Sequence, residues 1–165
     1  MVVCRASPDD EAAAWAIVDE YNTAFGVVLR DDRAALRNYL DGPGALWLAC
    51  DGDAVAGCVV LRPLPALGPR ASEVKRLYVR PAYRGSGLAG ALMDALEAHA
   101  REAGYDAVYL DSRPDFRTAI RFYARRGYET IARYNQNPEA TVFMRLPLRA
   151  PRLSSSPHAR RTSGR

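Results

Sequence analysis

Three glycines, Gly85, Gly87 and Gly90, fall in the stretch YRGSGLAGALMDAL that runs from Tyr83 to Leu96. Closely spaced glycines remove the side chains that would hold a ligand away from the backbone, so main-chain N–H groups can approach an anion. A helical pattern beginning near Gly87 adds the unpaired N–H groups and the positive end of a helix. The stretch therefore reads as a phosphate cradle that needs no lysine. Its spacing also fits the dinucleotide fingerprint G-x-G-x-x-G, with Asp111 about twenty residues past Gly90 as the ribose-binding acid. Three features oppose that fingerprint. RPAYR separates Val79 from Gly85, although the motif needs the strand to run straight into its first glycine. Only one β-α-β crossover can be drawn, and a long segment precedes the motif instead of the motif opening its domain.

Other reactive side chains form no constellation. Cys4, Cys50 and Cys58 are odd in number, lack C-x-x-C spacing and lie among apolar neighbours. That pattern argues against a disulfide framework and against zinc, and it predicts buried, inert thiols. His99 and His158 are far apart, so neither a histidine metal site nor a triad can be assembled, and no metal is expected.

The elements that must position the glycine loop follow from periodicity and punctuation. VVCRA reads as a first strand. Ser7-Pro8-Asp9-Asp10-Glu11 is a helix start, with Ser7 as cap, Pro8 at the first position and acids at the positive end. That helix runs to about Phe25, and a second covers about Asp32 to Leu40. ALWLAC and AVAGCVVLR flank the turn Asp51-Gly52-Asp53 as a hairpin. SEVKRLYV is a strand ending at Arg80-Pro81. After the glycines a helix extends to Gly104, followed by the strand AVYLDS and a helix from Pro114 to Arg126. YETIARY and ATVFMRLPL are the last two strands. The order is β-α-α-β-β-β-α-β-α-β-β, a mixed and largely antiparallel sheet of the α/β (α+β) class. The strands on either side of the glycine-loop helix are parallel through a right-handed crossover.

Composition bounds the partners. The chain has 165 residues, about one domain, and enough length to bury a core without metals or disulfides. Its net charge of +4 is matched by Arg152, Arg160, Arg161 and Arg165 in the acid-free segment APRLSSSPHARRTSGR. The body is left near neutral, with no excess charge for coating nucleic acid. Residues 1–149 are expected to fold as one domain and residues 150–165 to be a disordered tail. No apolar run approaches the roughly 18 residues of a membrane span. MVVCRASPDDE lacks the basic start and apolar stretch of a secretory signal, so no membrane contact and a cytoplasmic location are expected.

Taken together, EVKRLYVRPAYRGSGLAGALMDAL and the later AIRFYARRGYE resemble the GCN5-related N-acetyltransferase (GNAT) superfamily. The signature R/Q-x-x-G-x-G/A falls on Arg84, Gly87 and Ala89. The aromatic helix and its GY step fall on Phe122, Tyr123, Gly127 and Tyr128, and the element order from Cys4 to Leu148 agrees. The resemblance implies a seven-stranded GNAT sheet with helices on both faces. It also implies an enzyme that moves an acetyl group from acetyl-CoA to a primary amine on a small molecule or peptide, acting as a monomer or homodimer. A non-catalytic acyl-CoA-binding module on the same fold is the alternative.

The resemblance further implies roles for individual residues. The strand before the loop is bulged, and the backbones of Leu77, Tyr78 and Val79 would hold the pantetheine arm. The sequence itself hints at a phase slip: Glu73 out, Val74 in and Lys75 out is followed by Leu77 and Val79 on the charged parity. Either a bulge near Arg76 or a strand buried on both faces at its end would account for this. The pyrophosphate would meet the amides of Arg84, Gly85, Ser86, Gly87, Leu88 and Ala89, with Gly90 allowing close packing. Tyr123 would donate a proton to the leaving thiolate. Glu73 would be the base for the amine, with Asp111 helping through water. Arg121, Arg125 or Arg126 would meet the 3′-phosphate. Phe116 stands where many relatives carry an asparagine that contacts the cofactor region. The segments Ala24 to Asp41 and Asn135 to Ala140 would shape the acceptor cleft, with Tyr21, Tyr39, Tyr134 and Asn135 lining it.

Overall fold

A computed structural model describes residues 1–148 of the chain. The expected tail, residues 150–165, lies outside the described residues. The elements are β1 (Val2–Arg5), α1 (Glu11–Ala24), α2 (Arg33–Leu40), β2 (Ala45–Asp51), β3 (Ala54–Pro63), β4 (Ala71–Val79), α3 (Leu88–Glu102), β5 (Ala107–Ser112), α4 (Arg117–Arg125), β6 (Glu129–Thr130) and β7 (Val142–Pro147). The strands form one sheet in the order β1-β2-β3-β4-β5-β7-β6. Only β4 and β5 run parallel, joined through α3, and every other pair is antiparallel.

Strand alternation builds two cores. Trp47, Ala49, Val59 and Leu61 of β2 and β3 face Leu92, Met93 and Leu96 of α3 and Tyr123 of α4. The intervening Leu46, Leu48, Cys58 and Val60 face Ile17 and Val18 of α1 and Leu36 and Leu40 of α2. The central strands are therefore buried on both sides, and each fully buried Leu or Ile contributes about 1.5–3 kcal/mol. Asp32 caps α2 by accepting the Ala35 N–H at 2.7 Å. At the start of α1, Ser7 donates both its N–H and its hydroxyl to the Asp10 carboxylate, at 2.8 and 2.9 Å, after which a short 3-10 turn leads into the helix.

Several expectations change. β6 keeps two residues of the expected seven. Arg133 folds the following loop onto itself by donating to the carbonyls of Asn135, Asn137 and Ala140, and Tyr134 leaves the ladder. α4 begins at Arg117 because Arg113 holds Asp115 with two hydrogen bonds of 3.1 and 2.8 Å, turning the chain before the helix. Of the three thiols only Cys58 is buried; Cys50 is half-buried, and Cys4 is exposed because β1 is an edge strand. Glu73 does not face out. The first four residues of β4 are buried on both faces, and Glu73 is fully enclosed.

The bulge is present as well. Cys58 pairs with Tyr78 and Val60 with Lys75, so Val59 stands opposite two residues, Arg76 and Leu77. Arg76 has φ +57°, the only positive value outside glycine among the described residues. The thiol of Cys58 donates to the Arg76 carbonyl at 3.3 Å from beneath the bulge.

Candidate functional site

β4 and β5 share only three paired positions, Ala71–Ala107, Ser72–Val108 and Glu73–Tyr109. Beyond them the strands part, and a cleft of about 1340 Å³ opens in the gap. Its floor includes Val74, Leu77, Tyr78 and Val79 from β4 and Leu110, Asp111 and Ser112 from β5. At one end lies the glycine loop, with Arg84, Gly85, Gly87, Leu88, Ala89 and Gly90 on the cleft wall. Gly85 and Gly87 have φ +77° and +86°, and a Cβ at either would meet nothing within 4 Å. The loop is thus an open cradle in a conformation that L side chains disfavour. No described group accepts from the N–H of Gly85, Ser86 or Gly87, and Leu88, Ala89 and Gly90 are the first residues of α3, whose N–H groups have no partner within the helix. The Arg84 amide is different: it already donates to the Pro81 carbonyl at 3.3 Å. Ser86 lies off the cleft wall, its hydroxyl bound to the Tyr83 carbonyl at 2.5 Å.

Tyr123 reaches the cleft from α4. It is 8% exposed, its ring packs edge-on against Phe122 and Tyr128, and its hydroxyl donates to no described residue. Burial pushes its pKa well above the ordinary tyrosine value, so the hydroxyl keeps its proton. α4 is fastened to α3 by Arg126, which donates to Glu97 at 3.0 and 2.9 Å and to Asp94 at 2.7 Å. That engages Arg126 away from any ligand. Arg117 and Arg125 line the cleft instead, and Arg121 does not.

Past the bulge the cleft is walled by charged and amide side chains. Lys75 donates to Asp111 at 2.6 Å and lies 3.4 Å from Glu73. Asp111 also accepts from the amides of Asn135 at 2.8 Å and Asn137 at 3.0 Å. Burial alone would raise the Asp111 pKa, but the Lys75 ammonium and the Asn137 and Asn135 amides outweigh it and hold the carboxyl below its usual range. Glu73 binds Arg62 at 2.6 Å and accepts from the Tyr134 hydroxyl at 2.8 Å. Neither Glu73 nor Tyr134 lines the cleft, so Glu73 reaches it only through neighbours such as Lys75. Tyr39 is also absent from the cleft wall; its hydroxyl is bound to Asp31 at 2.8 Å. Tyr21 and Asn135 do line it. Phe116 packs against Phe25 with ring centroids 5.1 Å apart, at the edge of the same cleft.

The arrangement offers backbone donors for a diphosphate, exposed strand edges for an extended arm and a neutral hydroxyl beside the gap. Sequence reasoning missed the contributions of Lys75, Asn137, Asp31, Arg76 and Arg113 to the far wall. Each acts through a partner distant in the chain, and only Asp31 and Asn137 fell within segments expected to shape the acceptor cleft, Ala24 to Asp41 and Asn135 to Ala140.

Known proteins place the same geometry in context. A family model described as the acetyltransferase (GNAT) family matches residues 13–128. The chain is 35% identical over 140 residues to an uncharacterized N-acetyltransferase of Schizosaccharomyces pombe, covering 80% of this chain and 85% of that protein. It is 34% identical over 151 residues to an aminoglycoside N(6′)-acetyltransferase type 1 of Stenotrophomonas maltophilia, covering 87% and 92%. It spans about half the length of other curated relatives, 49% of a probable N-acetyltransferase family 8 member of Mus musculus. Among solved structures, an acetyltransferase of the GNAT family from Staphylococcus aureus superposes with a TM-score of 0.76 at 22% identity, covering 90% of this chain and 99% of the other.

Proposed function

The chain belongs to the acetyltransferase (GNAT) family, and from that premise we propose that it transfers the acetyl group of acetyl-CoA directly to a primary amine. The observation that carries this reading is the parting of β4 from β5 after three paired residues, with an open glycine cradle at one end of the gap and Tyr123 in its wall. The amides of Gly85, Gly87, Leu88, Ala89 and Gly90 bind the diphosphate, and the free edges of Leu77, Tyr78 and Val79 align the arm. A backbone N–H at Leu77 or Tyr78 faces the carbonyl oxygen as it gains charge. The uncharged amine forms a bond to the acetyl carbon, the carbon–sulfur bond breaks, and the Tyr123 hydroxyl supplies the proton that the sulfur needs. The amine's own proton leaves by water toward the Lys75–Asp111–Glu73 cluster. Arg117 and Arg125, two of the arginines on the cleft wall, meet the 3′-phosphate in this reading.

Thiol release from acetyl-CoA with a panel of primary amines (kanamycin, spermidine and short peptides with free N-termini) tests the reading. Kanamycin is included because of the aminoglycoside acetyltransferase relative. Accelerated release with any amine supports transfer. Thermal stabilisation by CoA without release from any amine would favour a non-catalytic acyl-CoA-binding module instead.

A further inference from the structure

Residues 25–32, between α1 and α2, cross the open end of the gap, held by β4 on one side and by Arg113, the residue after β5, on the other. From β4, Arg76 donates Nε to Asp31 at 2.7 Å and Nη2 to the Leu29 carbonyl at 3.1 Å. Its guanidinium also lies over the Tyr21 ring, 5.5 Å from the centroid. This ion pair is mostly shielded from water, with side chains 13% and 9% exposed. The other Asp31 oxygen accepts from Tyr39 at 2.8 Å. From beyond the end of β5, Arg113 donates to the Phe25 carbonyl at 3.0 Å. Phe25, Val27, Leu29, Arg30 and Asp31 line the cleft. The segment is therefore a strap tied to both sides of a gap whose two strands share no paired ladder positions there and are linked by the Lys75–Asp111 ion pair.

Arg76 is also the bulge residue, with φ +57°. Glycine would adopt that conformation without steric cost, so the backbone gives no reason for an arginine, whereas its side-chain contacts do. We propose that Arg76 is a positioning residue for the acceptor: from its place at the bulge it fixes the strap to the strand that aligns the acyl donor, and so holds the wall that the amine meets. The proposal rests on the acetyl-transfer reading above.

Arg76→Gly preserves the bulge backbone and deletes the clamp, while Arg76→Lys retains the charge and shortens the reach. With the fastest amine of the panel, Arg76→Gly is expected to raise the amine KM by about tenfold or more while kcat and the acetyl-CoA Kd stay within about threefold. Hydrogen exchange of the Val27 amide, which donates to the Asn22 carbonyl at 2.9 Å, should accelerate by about tenfold in the same variant. Arg76→Lys should recover part of the KM. An unchanged KM with unchanged exchange overturns the proposal. So does loss of acetyl-CoA binding by Arg76→Gly, which would make Arg76 a cofactor-strand residue. Wild-type protein that binds no acetyl-CoA would refute the transfer reading, and exchange alone would then decide whether Arg76 holds the strap.

Discussion

The Lys75 ammonium sits 2.6 Å from the Asp111 carboxylate, tying β4 to β5 two residues beyond the last position at which the strands pair. The Asp111 side chain is 4% exposed and that of Lys75 16%. Asp111 has a depressed pKa in the folded protein. Its contribution is therefore fully present above the unfolded value of about 3.9 and is lost as the pH falls through the lower folded value. Asp111→Asn is expected to lower stability by about 1–3 kcal/mol at pH 7. In thermal melts from pH 7 to pH 3 the gap between variant and wild type should narrow below about pH 4; a gap that is constant over that range would count against the ion pair.

Tyr123 places a protonated hydroxyl at the cleft wall. Tyr123→Phe keeps the ring packing against Phe122 and Tyr128 and removes only the donor. Turnover should fall by about 10²-fold, with little change in acetyl-CoA affinity. Because burial raises this pKa, no loss of activity assignable to Tyr123 should appear below the ordinary tyrosine value of about 10. Steady-state rates and calorimetry of both proteins would show it, and equal rates would remove Tyr123 from its role.

Gly57 lies against β4. A Cβ there would come within 2.5 Å of the Tyr78 carbonyl oxygen and 3.3 Å of the Val79 Cα. Neither is a flexible side-chain end, so Gly57→Ala must displace β4. A cost of about 1–3 kcal/mol is expected, together with weaker acetyl-CoA binding. A melt and a binding isotherm identical to wild type would show that β4 yields freely.

Glu97 fastens α4 to α3 from within the core, 6% exposed. Glu97→Gln leaves Arg126 with Asp94 as its remaining carboxylate. The expected loss is about 2 kcal/mol, below the 3–5 kcal/mol typical of a broken buried pair because Asp94 stays. Chemical denaturation reads the loss directly, and a midpoint unchanged from wild type would contradict the fastening.

The parts of this site that were legible from the chain are those with a local signature. Gly85 and Gly87 declare a backbone conformation; Gly90 does not, because it lies in the first turn of α3 and a Cβ there would meet nothing within 4 Å, so the close packing expected of it is absent. A strand, helix and strand in succession declare a parallel crossover. The slip in alternation after Lys75 left a bulge near Arg76 and a strand end buried on both faces as alternatives, and the ladder decides for a bulge at Arg76 and Leu77. What stayed hidden depends on residues that meet only in three dimensions. Arg76 and Asp31 are 45 positions apart, and Tyr134 and Glu73 are 61. Glu73 was misplaced because strand alternation presumes one wet face, whereas Tyr134, Arg62 and Lys75 close over it and supply the partners that a buried carboxylate requires.

The brief ladder between β4 and β5 has a mechanical consequence. Three shared positions divide the sheet into a four-stranded panel and a three-stranded panel that meet along a short seam. An extended molecule lying in the opening would supply the rungs that the protein leaves out, turning two loosely joined panels into one plate. Occupancy should then sharpen the unfolding transition as well as raise its midpoint, because the panels would come apart together.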